Sequence, residues 1–506
     1  MIDQIKILTR ESLLARIQGK IVGDKIHSVF PKLKIIYHTS KTLGDLDQNL
    51  DLKSSESRGL FTGDISKQIG SGTSDIAVHS WKDYPIVNES KTNIVGTLSR
   101  ADSRDMLFIK KDSVKKNFLG TLTVMTSSPR RIYALEQNLN RLIPLEINNI
   151  KFKDLRGNID TRLKKFMNSN NDAVIIAKAA IDRIIASKEI DSPLKDKIHD
   201  CLNSCHWIIL PLSLFPTAAG QGAIGIETKL NNTEIVDLIG KINNETDFKD
   251  VQSERSIISN FGGGCSQKIG ISILRKNGMI IKSLFGQTEA GEKLNFYGET
   301  KSSTVSRRNY LTERDKMFPC NKEEESIFKR FDYNRNEKIK LIDNSLIFIT
   351  RSNVLKFKPR FKDSCILWTS GIKTWEAAAK NGYWINGSSD SLGEGEVAKI
   401  FNLFSKELSI TKLTFKDASN NTKKIIDTYS LKEPKFPSDF EHRTHFYWMS
   451  SKIFKVALEK YPNIKGKNHS CGMGNTYNNL REILGDRVKC FLSYNDWYNK
   501  TCKHEN

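Results

Sequence analysis

The feature that most constrains this chain is an alternation of short apolar runs with stretches of helical spacing. Residues 5–9 (Ile-Lys-Ile-Leu-Thr) read as a strand, and Leu14, Ile17, Ile21 and Ile26 then fall near helical spacing over residues 11–29. A strand over 34–37, a helix carrying Ile65 and Ile69, and a strand over 75–79 follow, the last ending at Ser80-Trp81-Lys82-Asp83. Strand, helix and strand in succession predict α/β units with a parallel sheet. The pattern restarts after Arg104. A strand over 121–126 opens into a helix, with Pro129 suited to its first turn and Ser127 or Ser128 able to cap it. Beyond a strand over 172–177, residues 207–228 predict a crossing segment rich in small residues. A helix over 251–260, a glycine turn at 262–265 and strands over 269–274 and 280–285 predict a small α+β unit. Residues 301–345 are charged and poorly periodic, as a linker is, and a further globular region runs from 346 to 506.

Composition narrows the partners. A chain of 506 residues predicts about three or four folding units. It has no run of about 18 apolar residues, so no membrane span is expected. Its eight cysteines show no paired framework and its start no signal-peptide pattern, which together predict reduced thiols in a cytoplasmic protein. A net charge of +21 asks for an anionic partner. With no Lys/Arg block and no zinc-finger spacing, neither nucleic acid nor a metal is expected.

Strand ends repeatedly deliver hydroxyl and guanidinium groups: Arg10 and Ser12 after the first strand, then Ser128, Arg130 and Arg131, while Arg156 and Arg162 flank Gly157-Asn158. Any one of these reads as a solvated loop residue. Their recurrence where open α/β sheets bind ligands predicts a seat for carboxylates or phosphates. Lys82-Asp83 at the end of a buried strand places a carboxylate where it can act as acid, base or cation stabiliser. Cys265 follows three glycines, so its thiol stands on a turn with little steric cover, although a lone cysteine is more often inert.

Several of these segments closely resemble the signatures of the porphobilinogen deaminase family. They are Thr9-Arg10-Glu11-Ser12-Leu13-Leu14-Ala15, His79-Ser80-Trp81-Lys82-Asp83-Tyr84-Pro85, Thr126-Ser127-Ser128-Pro129-Arg130-Arg131, residues 155–162, Ala219-Gly220-Gln221-Gly222-Ala223 and Gly263-Gly264-Cys265, in the family's order over residues 1–300. The resemblance implies two periplasmic-binding-protein-like α/β domains and a small α+β domain. Domain 1 would comprise 1–100 with 200–220, domain 2 101–199 and domain 3 221–300. It implies a covalent dipyrromethane primer on Cys265 through a thioether, and catalysis by Asp83 with Lys82. Asp83 would protonate the leaving amine and stabilise cationic azafulvene and pyrrolenine species. Ser128, Arg130, Arg131, Arg156 and Arg162, with Asp83, would hold the primer. Arg10, Ser12, Phe61 and Arg183 would meet porphobilinogen and the linear oligopyrroles, whose every ring carries acetate and propionate. A monomer is the implied working unit. Leu13, Arg58, Met125, Pro129 and Gly262 depart from the family's usual residues, and none removes a group the chemistry needs.

In the C-terminal region, residues 368–375, 386–394, 444–451 and Cys471-Gly472-Met473-Gly474-Asn475-Thr476 resemble, in order, a shortened uroporphyrinogen-III synthase. The expected architecture there is α/β, with the missing part near the N-terminal lobe. Tyr429 and Thr476 are the residues the resemblance puts against a linear tetrapyrrole. Two alternatives stay open: a deaminase whose C-terminal region only binds product, and a non-catalytic anion-binding protein.

Overall fold

The computed structural model describes residues 2–41, 63–86, 91–115, 120–188, 193–262, 267–300, 311–321, 324, 330–404, 408–416, 418 and 424–503. The chain divides into two compact units. The first is Met1–Asn140, Leu145–Leu274 and Lys282–Tyr297; the second is Arg141–Pro144, Arg275–Ile281 and Gly298–Asn506.

In the first unit the strands are, in chain order, β1 (Gln4–Arg10), β2 (Lys34–Ser40), β3 (Ile76–Ser80), β4 (Thr92–Thr97), β5 (Asp105–Lys110), β6 (Gly120–Met125), β7 (Ile147–Lys153), β8 (Ala173–Ala177), β9 (Cys205–Ile209) and β10 (Ile224–Lys229). They form two five-stranded sheets, ordered β2-β1-β3-β10-β4 and β7-β6-β8-β5-β9. The two share one plan. Three strands run parallel, and a strand arriving from the other sheet pairs antiparallel with the third, being β10 in one and β5 in the other. The chain therefore crosses between sheets twice, through residues 98–104 and 210–223. β10 lies in the first sheet, so residues 224–229 pack with the first α/β lobe.

The helices that matter for the site are α1 (Leu13–Val29), α2 (Pro129–Asn138), α3 (Ile159–Met167) and α4 (Glu245–Ser259). Val22 and Ile26 of α1 pack with Ile5, Ile7, Ile224 and Ile226 of the sheet. Each such fully buried side chain contributes about 1.5–3 kcal/mol. β8 is buried at every position, as a central strand covered on both faces must be. α4 begins earlier than its apolar spacing indicates, because the Asn244 side chain accepts the Asp247 N–H at 3.0 Å and caps it. A three-stranded meander follows: β11 (Gly270–Lys276), β12 (Met279–Gln287) and β13 (Lys293–Glu299). Its first turn, Asn277-Gly278, has positive φ at both residues (50° and 78°), which suits the right-handed twist of a tight hairpin.

The second unit contains β14 (Met317–Phe318), β15 (Arg330–Asp332), β16 (Ser345–Ile349), β17 (Ile366–Thr369), β18 (Gly387–Ser388), β19 (Ser409–Phe415), β20 (Lys424–Leu431), β21 (His445–Trp448), β22 (Asn468–Cys471) and β23 (Val488–Cys490). They make two sheets, β14-β21-β22-β23 and β15-β20-β19-β16-β17-β18. All pairs are parallel except β15 with β20. The second unit thus holds two α/β sheets. Their edge strands β14 and β15 lie within the poorly periodic residues 301–345 and are too short to leave a sequence pattern. In the four-stranded sheet Phe318, Phe440, Phe446, Trp448 and Phe454 form the core, with α5 (Ser451–Lys460) and α6 (Asn475–Leu484) contributing. Among the described residues no helix is long and apolar enough to cross a membrane.

Candidate active site

β3 is buried as far as His79 and then enters a single tight turn, Trp81–Asp83. Trp81 packs on Phe248, ring centres 5.1 Å apart. The Tyr84 hydroxyl donates to Glu227 at 3.2 Å, and that buried carboxylate also meets His79 Nε2 at 2.7 Å and accepts from Thr92 Oγ1 at 2.6 Å. Trp81 and Tyr84 are thus both drawn into the interior. Asp83 is exposed and has no ion pair among the described residues. Lys82 is partly covered, its Nζ 3.4 Å from Gln221 Oε1. Burial pushes its ammonium down to about 8, Asp83 opposing and Arg131 reinforcing the shift.

Gln221 donates through Nε2 to Asp105 Oδ1 at 2.9 Å and to the Ser103 carbonyl at 2.6 Å. Asp105, the first residue of β5, is buried and accepts from Arg130 Nη2 at 2.9 Å, Arg131 Nη2 at 2.7 Å and Arg131 Nε at 3.2 Å. Burial alone would raise its pKa, but the Arg131 and Arg130 guanidinium groups outweigh that and hold the carboxyl far below its ordinary range. Burial likewise lowers Arg130, opposed by Asp105. Both arginines open α2 behind Pro129 at its first turn. Ser128 sits at the N-cap but its hydroxyl makes no capping bond. Ser127 Oγ is instead engaged by the Leu155 N–H at 2.9 Å.

Asn158 caps α3 by accepting the Thr161 N–H at 2.9 Å. One turn on, Arg162 Nε donates to Gly157 O at 2.7 Å. Gly157 holds φ at 107°, a conformation other residues rarely adopt. The two terminal nitrogens of Arg162 have no protein acceptor among the described residues. Burial first and Arg131 second push this guanidinium down to about 10, with Asp83 opposing. Asp83, Asp105, Arg131 and Arg162 therefore all lie within electrostatic reach of Lys82, and Arg131 and Asp83 within that of Arg162. Asp105 is already committed, so cations outnumber the remaining carboxylate. That donor set fits a group bearing carboxylates.

The remaining sequence candidates stand around this cluster. Arg183, lowered to about 10 mainly by burial, donates to the Gly222 carbonyl at 2.7 Å on the second crossing segment. Ser12 caps α1 by accepting the Ala15 N–H at 3.4 Å, beside Arg10 at the end of β1. Arg156 is half-buried ahead of α3. Cys265 and Phe61 lie outside the described residues. Tyr429 is buried on β20, with the Arg330 guanidinium 5.7 Å from its ring centre, and Thr476 lies in the first turn of α6 behind β22. Tyr429 belongs to the six-stranded sheet, and Thr476 to the helix that follows β22 of the four-stranded sheet.

Sequence reasoning gave no role to Asp105 or Glu227, and quoted Gln221 only within a motif. The signal for Glu227 was a carboxylate directly following the apolar run Ala223-Ile224-Gly225-Ile226. A charge in a strand buried on both faces needs partners.

The fold and site define a class: two α/β lobes joined by paired crossings, with a cation-rich cluster at their strand ends. The family model described as "Porphobilinogen deaminase, dipyromethane cofactor binding domain" matches residues 5–237. A probable porphobilinogen deaminase of Picrophilus torridus is 37% identical over 267 residues, covering 53% of this chain and 84% of that protein. The porphobilinogen deaminase of Syntrophomonas wolfei is 31% identical over 290 residues, covering 57% and 87%. That of Chlorobium luteolum is 31% identical over 327 residues, covering 65% and 93%. The chain belongs to the porphobilinogen deaminase family, whose cofactor is a dipyrromethane.

Proposed function

We propose that the first unit joins four porphobilinogens into hydroxymethylbilane on a dipyrromethane held by a thioether to Cys265. The observation that carries this reading is the cluster of Lys82, Arg131 and Arg162 around Asp83, on a chain of this family. When bound, the dipyrromethane supplies the pyrrole end onto which substrate is added. Asp83 gives a proton to the departing aminomethyl nitrogen, so that ammonia leaves. Its carboxylate then steadies the cationic substrate carbon until the new carbon–carbon bond forms and the ring proton is lost. Lys82 and Arg162 bind acetate and propionate groups. Arg130 and Arg131 are fixed by Asp105, which orients their remaining N–H groups. Arg10, Arg156 and Arg183 extend the cationic lining for the lengthening oligopyrrole, Ser12 and Ser128 add hydrogen-bonding hydroxyls, and Phe61 would pack against its rings.

Ammonia release and hydroxymethylbilane formation from porphobilinogen test this directly. Asp83→Asn is expected to keep the fold and lose on the order of 10²–10⁴-fold in turnover. Near-normal turnover in that variant removes Asp83 from the role.

A second reading concerns the second unit: cyclisation of the linear product to uroporphyrinogen III, with Tyr429 and Thr476 in contact with it. In its favour, the chain lays down β14, leaves for the six-stranded sheet, and returns for β21–β23, giving two parallel sheets whose carboxyl ends carry Ser- and Gly-rich turns. The type III isomer as main product supports it. The type I isomer alone leaves a deaminase with a product-binding appendage.

A further inference from the structure

Arg255, on α4, turns both terminal nitrogens of its head group to the backbone of the turn that presents Lys82 and Asp83. Its Nη1 donates to the carbonyls of Trp81 at 3.3 Å and Tyr84 at 3.0 Å, and its Nη2 to that of Pro85. The guanidinium carbon lies 5.9 Å from the centre of the Tyr84 ring. Arg255 has no carboxylate partner among the described residues, and burial pushes it down to about 10. A half-buried cation that pairs with no anion, and reaches three carbonyls within five residues, is built for holding backbone rather than for charge balance.

The neighbouring residue fixes the other end of this device. Glu254, fully buried, accepts from Arg100 Nη1 at 2.7 Å and Nη2 at 2.9 Å, from the Gly220 N–H at 2.8 Å and from the Ile273 N–H at 2.7 Å. α4 is thereby clamped to both crossing segments and to β11, and Arg255 projects from a rigid base. On its far side the turn is held by the Trp81 N–H on Ala223 O at 3.1 Å and by Tyr84 on Glu227.

We propose that Arg255 is a positioning residue for the reaction: it locks the Trp81–Pro85 turn to α4 and so fixes where Lys82 and Asp83 stand. The proposal rests on the roles given above to Lys82 and Asp83. A planar fork is needed to meet three carbonyls at once, which a lysine ammonium cannot do in the same geometry. Misplacing a reacting group by about 1 Å costs on the order of 10²-fold.

The test uses the full chain and its Arg255→Met and Arg255→Lys variants, followed by porphobilinogen turnover and by hydrogen exchange of the peptide covering residues 79–86. Arg255→Met is expected to lower kcat by about 10–100-fold with KM within a few fold, keep the covalent dipyrromethane by intact mass, and speed exchange in that peptide. Arg255→Lys should fall between, and it serves alone if the Met variant does not fold. Unchanged exchange and unchanged kcat in a folded variant overturn the proposal. So does a loss confined to KM. Wild-type chain that releases no ammonia contradicts the function above instead, and the exchange comparison still decides whether Arg255 holds the turn.

Discussion

Lys82 and Asp105 show how far a single residue's surroundings set its chemistry. Lys82 carries a proton that burial has loosened, with a pKa down at about 8. Below that pH it is an ammonium able to hold a carboxylate; above it the charge fades, and a bound carboxylate shifts the titration upward. KM for porphobilinogen should therefore rise on the alkaline side of about pH 8, a limb missing in Lys82→Arg; an identical profile in both would contradict the assignment. Asp105 is the opposite case. Its folded pKa is depressed, so its contribution is present above the ordinary carboxylate range and is lost as pH falls through the folded value. Asp105→Asn leaves Arg130 and Arg131 buried without their counter-charge, and should cost about 3–5 kcal/mol in denaturant unfolding at neutral pH.

At the level of elements, the parallel strands were legible because buried runs such as residues 173–177 and 345–349 carry their own pattern. β14 and β15 were not, since two or three residues cannot establish a period. The site was legible to a similar degree. Motifs pointed to Lys82, Asp83, Ser128 and the arginines, but no spacing could say that Arg130 and Arg131 share one carboxylate 25 residues away. The crossing segments pack closely on one another. Gly222 has φ at 88°, and a Cβ there would meet the carbonyl oxygen of Ala101 at 2.5 Å, the residue of the other crossing segment whose N–H donates to Gly222 O. Gly222→Ala should thus destabilise by about 1–3 kcal/mol and loosen Arg183, which uses the same carbonyl; a Tm equal to wild type would show the crossing to be less tightly fitted.

For the whole molecule, the net charge of +21 suits the proposed reaction, in which carboxylate-laden chains would be held through several additions. On the proposed function, this growth starts from a dipyrromethane bonded to Cys265. The decisive measurement is the intact mass of the freshly purified chain and of Cys265→Ser. The expected wild-type mass is raised by one dipyrromethane, and the expected Cys265→Ser mass equals the bare polypeptide. A bare wild-type chain, or an adduct that survives in Cys265→Ser, would contradict it.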